Sequence, residues 1–326
     1  MTKQKSIPPP RSTKERYKIT NWPEYNRSLK ERGSLKLWIP KRALDGWYYQ
    51  GKNKRGSPQD YSDLCIETCL TIKILFGLGY RQTEGFIESI FSMAKIELTV
   101  PCYSAICKRS GRIKVGKKVH KKKDNGKGIT VTADSTGLKV FGEGEWKVRK
   151  HGWSKHRTWQ KLHLMVNPEE KIILGNELTT NATDDAAMVE PLLNQVNEGV
   201  RTFSGDGAYD QLKVYKALLS RKINPVIPPR KGARIKKHGN TKGKALPRDK
   251  AIRMIRKIGR ANWKIKAKYH KRSIAETMMY RYKTIIGDKL YSRIYSRQKT
   301  ETAIACKMLN IMTWNGMPHS VLAKTG

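Results

Sequence analysis

Apolar positions along this 326-residue chain change their period once, near residue 125. Before that point they recur every three to four residues, the spacing of one helix face. The pattern predicts a helix over 61–76, with Leu64, Thr68, Ile72 and Leu75 on one stripe and Ser57 or Asp60 as its cap. Gly77-Leu78-Gly79 ends it. A second helix is predicted over 81–91, and a third over 102–113 after a turn at 98–101. Upstream, residues 22–49 interleave Trp22, Tyr25, Trp38, Trp47, Tyr48 and Tyr49 with basic residues, which fits a small aromatic core slightly better than a base-stacking surface.

Beyond residue 125 the apolar residues alternate with polar ones, as in half-buried strands. The stretches GITVTADSTGLKV, WQKLHLMV and KIILGNELT predict three strands in an antiparallel meander. Helical spacing over 184–196, a strand over 201–206, a helix over 211–219 and a short strand in NPVIPP follow, the prolines of the last suiting a sheet edge. Such an order is an α/β plan with helices on a mixed sheet. Residues 230–268 are basic and spaced by glycine, predicting a loop or small insertion with a short helix over 249–258. A final helix over 299–314 carries Ile304, Met308 and Ile311 on its apolar face.

The stretch YHKRSIAETMMYRYK, residues 269–283, is two-sided when wound as a helix. Tyr269, Arg272, Glu276 and Lys283 fall on one face, with Ile274, Met278, Tyr282 and Ile285 opposite. Taken alone, the polar face is also what a solvated helix with an Arg/Glu pair at i, i+4 would show.

Charge narrows the partners. Lys and Arg number 67 against 27 Asp and Glu, a net charge of +40. That surplus strains a compact fold by self-repulsion unless a polyanion is present, and nucleic acid supplies one. No basic amphipathic helix offers a lipid-facing side, no apolar run has the length of a membrane span, and the first residues lack a signal peptide's apolar core. The chain is therefore expected to stay where it is made. The helix over 102–113 bears Ser104, Lys108, Arg109 and Arg112 and resembles the last helix of a helix-turn-helix, placing Lys108, Arg109 and Arg112 against DNA. The basic, glycine-bearing segment that follows reads as a linker along phosphates, with a domain boundary near Asn125. Five cysteines without zinc-finger spacing fit small buried thiols in a reducing compartment better than a zinc site.

Three carboxylates stand out. Asp134 sits within ITVTADSTG, where a strand prefers β-branched residues; Asp206 ends the fourth strand in SGDGAYD between Gly205 and Gly207; Glu276 lies on the polar helix face. Each also has an ordinary reading as a turn or surface residue. Together, adjacent strand ends can bring Asp134 beside Asp206, and a helix packed on that sheet can add Glu276. Clustered carboxylates repel unless a cation sits among them, which suits Mg²⁺. Two such ions roughly 4 Å apart clamp the attacking and leaving oxygens of a phosphodiester.

The order Asp134, Asp206, Glu276 on this plan resembles the DDE transposases of bacterial insertion sequences. The spacing Tyr, two residues, Arg, three residues, Glu, six residues, Lys, met at Tyr269, Arg272, Glu276 and Lys283, is similar to the signature of one large branch, as are TADSTGLKV, SGDGAYD and RQTEGF at 81–86. The resemblance implies an α/β chain: a ribonuclease H-like mixed sheet with flanking helices over 126–290, preceded by a mainly α-helical DNA-binding domain over 21–125. A flexible basic arm over 1–20 and a C-terminal helix within 291–326 complete the division.

It further implies a transposase that binds terminal inverted repeats, nicks the ends to expose 3′ hydroxyls and joins them to target DNA by transesterification. Asp134 would bridge two Mg²⁺ ions, for which Mn²⁺ can substitute, with Asp206 and Glu276 each completing one site. Arg272, Lys283 and Tyr269 would hold DNA backbone. One of Trp146, Trp153 and Trp159 would stack on a displaced base, unless all three pack in the strand core. A homodimer or higher homo-oligomer in the synaptic complex, in the bacterial cytoplasm at the nucleoid, is expected. The rivals are a helix-turn-helix regulator without catalysis and a structure-selective nuclease of the same fold.

Overall fold

The computed structural model describes residues 17–52, 58–116, 128–140, 159–236 and 245–323. Most of the expected basic arm, the centre of the basic linker, Trp146, Trp153 and residues 237–244 of the expected insertion lie outside these. The last residues of the arm, β1 (Tyr17–Ile19), form a strand pair with β8 (Ser320–Leu322). Within the span 1–20 expected to be a flexible arm, residues 17–19 are thus held by backbone pairing to a distant strand.

Helices α1 (Trp22–Glu31), α2 (Leu35–Trp38) and α3 (Lys41–Asp45) precede the predicted trio, found as α4 (Asp63–Leu75), α5 (Tyr80–Met93) and α6 (Tyr103–Arg109). Ser62 caps α4, its Oγ accepting the Cys65 N–H at 3.0 Å, so the cap is neither Ser57 nor Asp60. The helix-turn-helix expectation does not survive. Nine residues separate α5 from α6, against the three or four of such a turn. Arg109 instead turns inward, donating to the Tyr61 carbonyl and pairing with Asp63, which pins α6 to the start of α4. Trp38 and Trp47 are buried as expected of an aromatic core, whereas Trp22 is exposed. Cys65, Cys69 and Cys306 are buried thiols, but Cys102 is exposed.

The sheet comprises β2 (Ile129–Val140), β3 (Trp159–Asn167), β4 (Ile172–Thr180), β5 (Val200–Ser204), β6 (Asn224–Val226) and β7 (Lys289–Leu290). Its order is β4-β3-β2-β5-β6, with β7 beside β2. Strands β2, β3 and β4 are the antiparallel meander read from the alternation; β5 runs parallel to β2 and β6 parallel to β5, with the prolines at the edge. This is the mixed sheet expected. Trp159 belongs to strand packing: its ring lies against Gly137.

Helices cover both faces. On one lie α7 (Val189–Leu193) and α8 (Leu212–Ser220), whose Leu192, Val214 and Leu218 meet Val131, Ala133, Met165 and Phe203. The helix expected over 184–196 is shorter, since a 3-10 turn at Asp185–Met188 precedes Pro191. The remaining helices are α9 (Pro247–Ile258), α10 (Arg260–Lys266), α11 (Ser273–Ile285) and α12 (Tyr295–Asn315). On the second face α11 and α12 pack on Leu138, Leu162, Leu164 and Leu178, and this core continues into Ile66, Ile72, Ile87 and Ile106 of the N-terminal helices. The apolar core thus crosses the boundary expected near residue 125. The reason is α12, whose 21 residues are wedged between β4 and α4 and bury polar as well as apolar positions, among them Thr302 and Asn310. Asn310 exchanges two hydrogen bonds with the Ile173 backbone, at 2.7 and 2.8 Å, satisfying an edge strand as another strand would.

Candidate active site

Alternation along β2 sends Val131 and Ala133 to one core and Leu138 to the other. Asp134 has the parity of Leu138 and lies opposite Leu164 of β3, so its carboxylate faces the layer that holds α11. The parallel register with β5 pairs Thr130 with Thr202 and Thr132 with Ser204. Two residues further on each chain stand Asp134 and Asp206. Asp206 does not end the strand, as the sequence suggested. It caps the turn Gly207–Tyr209, its Oδ1 accepting the Ala208 N–H at 2.8 Å. Gly205 is required here because a Cβ would lie 2.6 Å from the Tyr209 ring.

The helix expected over 269–283 is present and continuous, with a change of type after its first turn. Tyr269–Arg272 is a 3-10 turn entered through Lys268, whose φ of 53° is left-handed, and α11 starts at Ser273. Its buried stripe is Ala275, Met278, Met279 and Tyr282, while Ile285 is exposed. Arg272 and Glu276 keep their i, i+4 relation and pair directly. The guanidinium carbon of Arg272 lies 5.8 Å from the Tyr269 ring centre, and Trp263 packs on the same ring at 6.2 Å. Lys283 is exposed near the far end of α11, with no ion pair among the described residues.

Arg272 also donates to Asp134 Oδ2 at 3.4 Å. Burial opposes its charge, but Tyr269, Asp134, Glu276 and Asp206 outweigh that and raise its pKa. The Asp134 carboxyl is held above the ordinary carboxylate range, chiefly by burial. The Ser135 N–H and Arg272 oppose this rise, while Asp206 and Glu276 add to it by repulsion. The three carboxylates and one guanidinium thus form a single electrostatic unit.

Among the described residues no three His, Cys, Asp or Glu side chains stand close enough together to hold a metal. Arg272 occupies the position between Asp134 and Glu276 that a cation would share. The donor chemistry nevertheless suits a hard divalent ion, since carboxylate oxygens are the ligands such ions take and Asp134 carries repulsion from both neighbours.

Residues that position this unit were missed in the sequence. Asp210, fully buried, accepts from Arg248 Nε at 2.8 Å, Tyr215 Oη at 3.0 Å and the Arg230 N–H at 2.9 Å. Arg230 in turn donates to the carbonyls of Gly207 and Ala208, tying down the turn that Asp206 caps. The signal available was a second Asp four residues after the first in SGDGAYD; its arginine partners lie 20 and 38 positions away. On the opposite sheet face Asp185 stands 3.1 Å from Lys161 Nζ and 3.3 Å from His163 Nδ1. Burial works against its charge, but the nearby His163, Ser135 and Lys161 side chains bring its pKa down to about 2. Lys108 and Arg112 are exposed on and just after α6, Arg109 is engaged internally, and no contact among the described residues links the three to the carboxylates.

Comparison with known proteins gives two family models described as a transposase DDE domain, one matching residues 30–143 and the other residues 125–311. Among solved structures, the chain is similar to a piggyBac transposase synaptic complex with hairpin DNA determined by cryo-electron microscopy, at 9% identity and a TM-score of 0.36. That alignment covers 92% of this chain and 78% of the other.

Proposed function

The chain belongs to the DDE transposase family, and from that premise we propose that it binds the terminal inverted repeats of a bacterial insertion sequence, cleaves the element's ends and joins their 3′ hydroxyls to target DNA. The observation that carries this reading is Arg272, which contacts both Asp134 on its strand and Glu276 on its helix while Asp206 of the capped turn acts on the same guanidinium.

Proteins of this family generally use divalent metal ions, and here Asp134, Asp206 and Glu276 would hold two Mg²⁺ ions. When bound, such ions activate the attacking oxygen and stabilise the leaving one. Arg272, released from its carboxylates, holds a phosphate by its planar fork, and Lys283 holds another as a point charge. Tyr269 supports Arg272 from beneath and contacts backbone. Lys108 and Arg112 add phosphate contacts from the N-terminal helices, and the net charge of +40 makes binding strongly salt-dependent. The chain works as a homodimer or higher homo-oligomer on DNA at the nucleoid. Among the described residues no helix is long and apolar enough to cross a membrane.

Incubating the protein with an end oligonucleotide, Mg²⁺ and supercoiled plasmid tests this reading. Covalent joining of the oligonucleotide to plasmid is expected. Cutting without joining would leave a nuclease, and binding without either would leave a regulator.

A further inference from the structure

Beside the catalytic unit lies a cavity of about 390 Å³ that no sequence motif announced. Its floor is Thr130, Thr202 and Ser204, which have the parity of Asp134 and Asp206 and so line the same sheet face. Ser204 stands two residues before Asp206, about 7 Å along an extended chain. Its roof is the helix pair α9 and α10 with the turn that follows, which contribute Lys250, Lys266, Lys268 and Lys271. No Asp or Glu lines the cavity. Lys271 is paired with Glu169 at 2.9 Å, but Lys250, Lys266 and Lys268 are exposed and have no ion pair among the described residues.

One feature distinguishes this cavity from a packing gap. Ser204 is 3% exposed and its Oγ has no hydrogen-bond partner, a costly state for a buried hydroxyl; Thr132 Oγ1, next on the same face, is also unpartnered. The remaining wall is apolar, with Trp263, Pro225 and Met254. Cationic rim, hydroxyl floor and apolar wall together match a phosphate attached to a sugar and base.

We infer that this cavity is a subsite for one nucleotide of the DNA strand next to the scissile phosphate. Its phosphate lies on Lys250, Lys266 and the Ser204 hydroxyl, and its sugar and base lie against Trp263. The assignment rests on the transposase reading for which strand enters, but not for the binding itself.

The test uses the full chain in EDTA, where the carboxylates carry no metal, and a fluorescein-labelled oligothymidylate read by anisotropy. Lys250→Gln with Lys266→Gln is expected to weaken binding about tenfold, whereas Arg256→Gln with Lys257→Gln, an equal charge loss outside the cavity, weakens it about twofold. Ser204→Ala, which leaves both helices untouched, is expected to weaken it about threefold. Thymidine 5′-monophosphate should displace the probe at about tenfold lower concentration than inorganic phosphate. Equal losses in the two double variants would overturn the subsite, and equal competition by the two anions would overturn its assignment to a nucleotide. Strand transfer is scored separately: these contrasts in a chain that joins no DNA would keep the subsite and remove the transposase reading.

Discussion

Arg272 hydrogen-bonds Asp134 across 138 positions of sequence, at 3.4 Å, while pairing with Glu276 one helical turn further on. A single guanidinium therefore neutralises two carboxylates whose proximity would otherwise be repulsive, and Asp206 acts on both partners. Charge is held in balance by a side chain that can move, where the proposed chemistry uses ions.

Replacing any one of the three carboxylates with its amide removes an anionic ligand and keeps the shape. Asp134→Asn, Asp206→Asn and Glu276→Gln are each expected to lower Mg²⁺-dependent end cleavage by on the order of a thousandfold, with end binding retained. Gel assays of cleavage and of binding on the same preparations check this. Full cleavage by one variant removes that residue from the site.

Arg272→Gln leaves Asp134 and Glu276 facing each other without a counter-charge. The metal-free protein should melt at a lower temperature, and Mg²⁺ should raise that temperature more than in the parent chain, because the ion no longer competes with a guanidinium. Calorimetry with and without Mg²⁺ measures both. An unchanged metal response would show that Arg272 does not stand in for the ion.

Asp185 is an acid whose folded pKa lies near 2, below its ordinary 3.8. A depressed acid contributes stability that is present above the unfolded pKa and is lost as pH falls through the folded one. The window is therefore about pH 4 to pH 2, and the contribution is of order 2 kcal/mol. Asp185→Asn should flatten denaturant stability against pH in that window; an unaltered slope would place the acid sensitivity elsewhere.

Asp210 has no exposed side-chain surface and holds Arg248, Tyr215 and the Arg230 backbone. Asp210→Ala strands the Arg248 charge and should cost about 3 kcal/mol. Arg230→Ala, nearer the surface, should leave the fold intact but loosen the turn at 207–209. Its cleavage rate is expected to fall about tenfold with unchanged DNA affinity, as for a supporting residue beside a ligand. A loss of affinity alone would make Arg230 a DNA contact.

The N-terminal helices share their core with α12 and the sheet. A fragment ending at residue 125 would expose the face of α4 that packs on α12, where Glu67 pairs with Lys307, and open the shared core to which Ile66 and Ile72 belong. Circular dichroism of that fragment should show a weak, non-cooperative transition, restored to cooperativity only in the full chain. A sharp two-state melt of the fragment would establish a separate domain.

The sequence by itself determined the elements and the chemistry. Period-two alternation around Asp134 marked β2, prolines marked β6 as an edge, and the Arg272 to Glu276 spacing survived a change of helix type because i and i+4 remain neighbours. Local signals carry local facts. Only the tertiary structure decided where those facts meet. The first turn of the helix expected over 269–283 tightens to a 3-10 turn, Arg109 turns inward to Asp63, and α12 joins two regions whose composition had looked separate. The Ser204 cavity and the Asp210 anchor arise from the same cause: their partners are brought together by packing across tens of positions, and no spacing along the chain encodes such distances.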